Sequence, residues 1–232
     1  QQEIEKEVAV ICDEIESYND SPSELIYDEF ENMIFEGHPL GHNILGKSER
    51  LRKYTTDDAR RFTKKYYRPE NAVFFIYGDI NFERAVRLIK KATNDFGECH
   101  PLIDVEQNLV MPEYKARELV VEKNTHQAHV MIGSRAYNIH DERRITLYLL
   151  NNILGGPGMN SRLNLSLRER NGLVYSVESS MTSYSDTGIW CIYFGCDEHD
   201  VNKCIKLVRR EMDKFINKPM TSSQLDAAKK QI

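Results

Sequence analysis

Two alternating segments joined by a short turn constrain the fold of this chain most strongly. Residues 173–184 read LVYSVESSMTSY and residues 187–197 read TGIWCIYFGCD. Both runs are rich in β-branched and aromatic residues, which favour strands. The SDTG stretch at their junction carries typical turn residues. The pattern therefore predicts a pair of antiparallel strands.

The remaining segments predict a mixture of helices and further strands. Apolar runs without strong polar interruption predict additional strands at residues 72–80, 115–124 and 128–137. Helical periodicity and capping residues predict helices at residues 2–18, 22–35, 55–67, 81–97, 141–156, 159–172, 198–218 and from 221 onward. The predicted class is α+β, with two-layer antiparallel sheets that carry helices on one face.

A change of composition near the middle of the chain predicts a boundary. Residues 98–114 lack any period and contain two prolines. We expect a linker at 101–112, which separates a first part at 1–100 from a second part at 113–232. Because the predicted sheets look incomplete at both ends, we also expect the chain to be a segment of a longer protein.

Charge and cysteine content exclude some classes of function. The formal net charge of the 232 residues is −5, which gives no general attraction to nucleic acid or to an anionic membrane. No apolar run approaches the length of a membrane span. Five cysteines without a C-x-x-C pair argue against a zinc ribbon or a disulfide framework, and favour a reducing, cytoplasmic compartment.

The first predicted helix carries two acidic residues beside its apolar stripe. The stripe is formed by Ile4, Val8, Ile11 and Ile15. Glu7 and Glu14 are seven residues apart, so their side chains point almost the same way, and both fall inside the stripe. Carboxylates are almost never fully buried unless they are paired. The two residues are therefore either a solvated edge of the helix or ligands that face a cation.

Other candidate sites are weaker on spacing alone. His38 and His42 have the spacing of a helical metal pair, but Pro39 and Gly41 favour a turn there. The basic and aromatic stretch ARRFTKKYYRP is best explained as the solvated face of a helix rather than as a nucleic-acid surface.

A further pair lies in the stretch SLRERNGLVYSV. Arg168 and Tyr175 flank the turn at Gly172 and could converge on one cleft as a binder of an anion or a carbonyl group. The alternative is a cation at a helix C-terminus followed by an ordinary strand aromatic.

Three stretches together resemble the pitrilysin and insulinase family of zinc peptidases, and its shorter bacterial processing-type members in particular. Residues 5–30 resemble the segment that supplies the third zinc ligand of the family. Residues 35–80 resemble a longer pattern of the family that begins with HP.G..I.G and ends in GD. Residues 153–180, ILGGPGMNSRLNLSLRERNGLVYSVESS, resemble its LGGG..SRL...LRE..GL.YSV motif and are the most specific of the three.

The resemblance implies a role for each of these candidates. Glu14 matches the third zinc ligand. Glu7 matches an acid that does not bind the zinc itself but supports the residues that do. Arg168 and Tyr175 match the pair that contacts the bound substrate or the oxyanion. Residues 1–100 would be the rear part of the zinc-site half, and 113–232 the front part of the second, substrate-contacting half.

The family motif H-x-x-E-H, an inverted zincin motif, is absent from this chain. By resemblance, the longer parent would be a zinc metalloendopeptidase that hydrolyses peptides or extended polypeptides in an enclosed chamber. The alternative is a non-catalytic subunit or scaffold of the same family. The segment alone is expected to be inactive and to hold no zinc. A peptide substrate, a homo-oligomer or a paired subunit, and a bacterial origin are further expectations.

Overall fold

The computed structural model describes residues 2–96, 111–123 and 125–231, which form two compact units. One unit comprises residues 1–15 and 45–110, and the other comprises residues 16–44 and 111–232. The units therefore differ from the predicted parts in one respect, because residues 16–44 belong with the second part of the chain. The predicted linker at 101–112 lies outside the described residues except for its last two positions, and Cys99 lies outside them as well.

Helices dominate the first unit. The helices here are α1 (Gln2–Asn19), within which the boundary of the units falls, α3 (Ser48–Leu51), α4 (Thr56–Tyr66) and α5 (Phe82–Ala92), with short 3-10 turns at Pro69–Asn71 and Asn94–Phe96. Thr55 caps α4 through a reciprocal capping box with Asp58, as the cluster of polar residues at its start predicts.

Within its described residues, the second unit contains a three-stranded antiparallel sheet and four helices of eight or more residues. Its elements are α2 (Pro22–Ile34), β1 (Ala128–Ala136), α6 (Arg143–Gly155), β2 (Val174–Ser183), β3 (Gly188–Cys196), α7 (Val201–Asn217) and α8 (Ser222–Lys229), with a π-helical segment at Asn164–Glu169 and 3-10 turns at Pro39–Gly41 and Glu198–Asp200. The strand order is β1-β3-β2, so the predicted hairpin is confirmed and β3 is the central strand.

The first face of the sheet carries the larger core. Ile192 and Phe194 of β3 are fully buried against Leu154 of α6, Leu167 of the π-helical segment and Val208 of α7. The thiols of Cys196 and Cys204 lie in the same core. Burial raises the pKa of Cys196 to about 12, with Cys204 as the next cause. Both thiols therefore stay protonated and unreactive in the folded chain.

The predicted α+β class is confirmed, and α2 adds a layer on the second face of the sheet. Phe30 and Ile34 of α2 pack with Ile189 and Cys191 of β3 in a smaller core. Gly133 of β1 allows this approach, because a Cβ there would lie 2.9 Å from the Phe30 ring and 2.8 Å from Cys191 Cα. Helical periodicity predicts α2, but it does not predict that α2 packs on the second face of the sheet.

Two of the strand predictions are wrong within the described residues. Residues 72–80 and 115–123 have no strand assignment, and Val73, Phe75 and Val120 are among their exposed side chains. Their apolar composition indicates a segment suited to a sheet, but a strand exists only when a neighbouring backbone pairs with it. None of the described helices has the length and apolarity needed to cross a membrane.

Adding a methyl group at Gly133 should destabilise the second unit. We expect Gly133→Ala to lower the free energy of unfolding by about 1–3 kcal/mol, because the new Cβ collides with backbone that cannot rotate away. Gly195→Ala is the matched control, since its Cβ meets only ordinary contacts at 3.7 Å and beyond. Urea unfolding of both variants gives the comparison, and equal stabilities would contradict the close approach of the β3 backbone and Phe30 to Gly133.

Candidate functional site

The turn that connects the π-helical segment to β2 presents both residues of the predicted substrate pair. Leu163 and Leu167 are fully buried and fix the segment on the core. A π-helical turn is uncommon, and such turns are frequent at functional sites. Its register places Arg168 on the exposed side while its neighbour Leu167 points inward.

Backbone hydrogen bonds close the connection tightly. The Gly172 N–H donates to the Arg168 carbonyl at 2.8 Å, and the Leu173 N–H donates to the Leu167 carbonyl at 3.0 Å. Gly172 adopts φ +61°, a left-handed conformation that glycine takes without strain. The Asn171 side chain donates to the Ser166 carbonyl at 2.7 Å. The backbone around Arg168 is therefore held on both sides.

Tyr175 occupies an irregularity in the strand register. Val174 pairs with Cys196 and Ser176 pairs with Gly195, so Tyr175 is the extra residue of a bulge in β2. Bulges redirect side chains and occur often beside active sites. The Tyr175 side chain is 66% exposed. Within residues 2–96, 111–123 and 125–231, neither Tyr175 nor Arg168 has a side-chain hydrogen bond or ion pair that would occupy its donor groups.

The two acidic residues of the first helix are solvent-exposed. The apolar stripe of α1 is half-buried and Cys12 is 1% exposed, but Glu7 and Glu14 both lie on the exposed side. Within the described chain the two carboxylates therefore form a solvated edge of α1, which is the first of the two alternatives that the sequence left open. Seven residues of helix rise by about 10.5 Å, so the two carboxylates cannot both contact one ion directly. The assignment of Glu14 as a zinc ligand and of Glu7 as its support stays a prediction.

The histidine pair lies in a turn. His38 precedes the 3-10 turn at Pro39–Gly41, and its Nδ1 accepts the Leu40 N–H at 3.2 Å. That bond places the ring proton on Nε2, which lies 3.6 Å from an Asp186 carboxylate oxygen. His38 is buried and His42 is exposed, with its ring nitrogen Nδ1 2.7 Å from the Gly41 carbonyl oxygen. His38 therefore has a structural role in this turn.

A polar group on the second face of the sheet did not emerge from sequence analysis. The Tyr27 hydroxyl of α2 donates to Glu178 of β2 at 2.6 Å, and its ring lies 5.4 Å from that of Tyr193. Burial first, and then Glu178, raise the pKa of Tyr27 well above its usual range. His129 contacts the Tyr193 hydroxyl at 2.9 Å, and burial lowers its pKa. The alternating pattern of β2 predicts that one of its faces is polar. No local pattern in α2 predicts that Tyr27 contacts that face.

A potential ligand cluster follows β3. Within the part of the chain that the structure describes, one group of three such side chains places its ligand atoms within 4.8 Å of one another: Asp197, His199 and Asp200. Two of the three are exposed, and exposed acidic groups of this kind are common without an ion. Neither Glu14 nor the histidine pair belongs to this group.

Among the described residues, the predicted zinc site does not have the ligands of a catalytic site. Such a site normally has three protein ligands with a water or substrate in the remaining position. The predicted site offers one exposed carboxylate from Glu14, and no histidine is assigned to it. A complete set would require further ligands beside Glu14.

The sequence is similar to known protein sequences along nearly its whole length. A family model described as the peptidase M16 inactive domain matches residues 53–232. An uncharacterized zinc protease of Bacillus subtilis is 32% identical over 230 residues, which are 99% of this chain and 55% of that protein. An uncharacterized zinc protease of Streptomyces coelicolor is 30% identical over 98% of this chain and 50% of its own length. The chain thus spans about half the length of these relatives.

Solved structures share the fold at lower identity. The crystal structure of a peptidase M16 inactive domain from Pseudomonas fluorescens has a TM-score of 0.87 and 23% identity, and the match covers 99% of this chain and 55% of that one. A protease from Helicobacter pylori has a TM-score of 0.83 at 21% identity, over 100% and 57%. A chain of complex III2 from Candida albicans has a TM-score of 0.79 at 17% identity, over 97% and 55%.

The purified chain should hold no tight zinc. Its one assigned ligand is a lone exposed carboxylate, and carboxylate oxygen without histidine or thiolate suits zinc poorly. Metal analysis after dialysis against a chelator should find less than stoichiometric zinc. One equivalent of zinc that survives the dialysis would contradict this, and alanine variants of Asp197, His199 and His42 would then locate it.

Proposed function

The chain belongs to the peptidase M16 family, and we propose that it is part of a longer zinc-dependent metalloendopeptidase that hydrolyses peptides or extended polypeptides in an enclosed chamber. One observation carries the proposal: relatives named zinc proteases match this chain over nearly its full length at 30–32% identity. The exposed, tightly held positions of Arg168 and Tyr175 agree with a role in contacting substrate.

The proposed role of the second unit is to hold the substrate backbone. A guanidinium presents several N–H donors in a fixed fork, and a phenol hydroxyl presents one donor. A peptide carbonyl, and more so the oxyanion that forms from it, accepts such bonds. Because Arg168 and Tyr175 have no competing partner in the described chain, both are free to donate to substrate without first breaking an internal bond.

The proposed role of the first unit concerns the metal. In the longer protein, Glu14 would serve as one zinc ligand, and residues outside this chain would supply the others. Glu7 would support the site through hydrogen bonds behind the ligands, an arrangement that commonly tunes metal affinity. The exposure of both carboxylates in this chain is consistent with groups whose partners lie elsewhere in the polypeptide.

A second candidate function is a non-catalytic subunit of the same family. The matching family model is described as an inactive domain, and one structural neighbour is a chain of complex III2. The presence of an H-x-x-E-H motif upstream in the longer protein would favour the peptidase, and its absence would favour the subunit. Pairing with a second subunit, or with a copy of itself, is part of both proposals.

We also propose a bacterial source and a cytoplasmic location. Four cysteines of the described residues are free thiols, which fits a reducing compartment. Detection of the longer protein in a periplasmic or secreted fraction would contradict the location.

Neutralising the proposed zinc ligand should remove metal and activity together. In the longer protein, we expect Glu14→Gln to lower zinc content to well below one equivalent and to abolish peptide cleavage, because an amide is a much poorer zinc ligand than a carboxylate. Glu16→Gln is the control, since Glu16 is an exposed acid two residues further along α1. Metal analysis and a fluorogenic peptide assay measure both effects. Full zinc and normal turnover in Glu14→Gln would refute the assignment.

Removing one hydroxyl should test the substrate pair. In the longer protein, we expect Tyr175→Phe to lower kcat/KM by about 100-fold, as loss of one oxyanion donor commonly does. Zinc content and melting temperature should not change, because the side chain is 66% exposed and makes no internal hydrogen bond among described residues. Tyr148→Phe is the control, on a tyrosine of α6 that is 50% exposed. A lower melting temperature with normal turnover would instead indicate a structural tyrosine.

A further inference from the structure

A cavity of about 280 Å³ lies between the π-helical segment, α7 and the start of α8, and it belongs to none of the sites described above. Its lining is mainly polar and basic. The residues that form it are Arg162, Leu165, Arg170, Glu211, Lys214, Lys218, Pro219 and Gln224. All of them lie in the second unit, so the cavity is a property of that unit alone.

The charge of this cavity is opposite to that of the chain. Four basic side chains and one acidic side chain line it, whereas the whole chain has a net charge of −5. The acidic residue, Glu211, is 5% exposed and accepts a hydrogen bond from Lys214 Nζ at 2.6 Å. This ion pair joins the buried Glu211 to an exposed Lys214 and is neutral as a whole, so the positive charge of the other three residues is uncompensated within the lining.

The remaining cations are positioned but unpaired. Within the described ranges, Arg162, Arg170 and Lys218 form no ion pair with a carboxylate. The Arg162 guanidinium lies 4.0 Å from the centre of the Phe215 ring, a cation–π contact that orients it. The Arg170 backbone N–H donates to the Leu165 carbonyl at 3.1 Å, which fixes where its side chain begins.

The start of α8 adds a neutral donor to the same wall. Gln224 uses its side-chain oxygen to accept the Thr221 N–H at 3.0 Å, in the capping box of α8. Its amide nitrogen therefore has no acceptor among the hydrogen bonds of the described chain. Two guanidinium groups, one ammonium group and one amide thus line one small cavity with free donors, while the acceptor in the wall is already used.

We propose that this cavity binds a compact, multiply charged oxyanion, which is either a phosphorylated small molecule or a small polycarboxylate. Guanidinium groups match both kinds of oxyanion through paired N–H donors. A volume near 280 Å³ accommodates one such group but not a long chain. The inference uses only the geometry of the second unit and does not depend on the proposed peptidase activity.

Calorimetric titration of the chain with pyrophosphate and with citrate tests the proposal. We expect saturable binding of at least one probe with one site per chain, and an affinity that falls as salt is raised, because exposed charges are screened. Arg170→Gln and Lys218→Gln should each weaken binding by about tenfold, the effect of losing one charge-assisted hydrogen bond. Two variants are used so that a folding defect in one leaves the other informative.

Arg209→Gln is the matched control. Arg209 is an exposed arginine of α7 that does not line the cavity, so Arg209→Gln removes one positive charge from a helix that contributes to the cavity wall without changing the lining. The Arg209→Gln variant should bind pyrophosphate or citrate with the same affinity as the unmodified chain. Saturation by pyrophosphate alone identifies a phosphate ligand, and saturation by citrate alone identifies a carboxylate ligand. Absence of saturable binding by both probes, or equal losses in Arg209→Gln and in the two cavity variants, would overturn the proposal.

Discussion

The antiparallel pairing of β3 with both of its neighbours is the interaction on which the second unit depends. Every residue of β3 has a register partner in both β1 and β2, so its backbone polar groups are satisfied where water cannot reach them. Alternate side chains then enter two separate cores. Ile192 and Phe194 face α6 and α7, whereas Ile189 and Cys191 face α2. One strand therefore joins two layers of helices.

The candidate substrate pair derives its position from this arrangement. β2 is an edge strand, and its pairing with β3 becomes irregular at Tyr175, beside the turn that Gly172 permits. The preceding π-helical segment is anchored by leucines in the larger core. A bulge and a π-helical turn each interrupt the regular pattern of backbone hydrogen bonds. Both are tolerated here because the surrounding packing is extensive. Their coincidence within a few residues supports a functional origin.

Three sets of polar and charged side chains in this chain lie in different environments. The acidic residues of α1 are solvated, as isolated carboxylates are unless a cation or a donor pairs with them. The basic side chains around the cavity of the second unit are concentrated in spite of the negative net charge. Lys214 pairs with the buried Glu211, and the other three form no ion pair among the described residues. The Tyr27 hydroxyl donates to Glu178 across the second face of the sheet, and its ring contacts that of Tyr193.

The sequence by itself determined the class of the fold, the hairpin of β2 and β3, the capped starts of α4 and α8, and the family, because each of these depends on neighbours in the chain or on short specific motifs. Tertiary structure decided the rest. It placed α2 on the second face of the sheet through the space at Gly133, and it left Glu7 and Glu14 exposed. It also left residues 72–80 without a strand partner among the described residues, and it gathered Arg162, Arg170 and Lys218 around one cavity. Each of these outcomes is set by groups far apart in the chain, and local periodicity carries no information about which distant backbone or side chain will lie alongside.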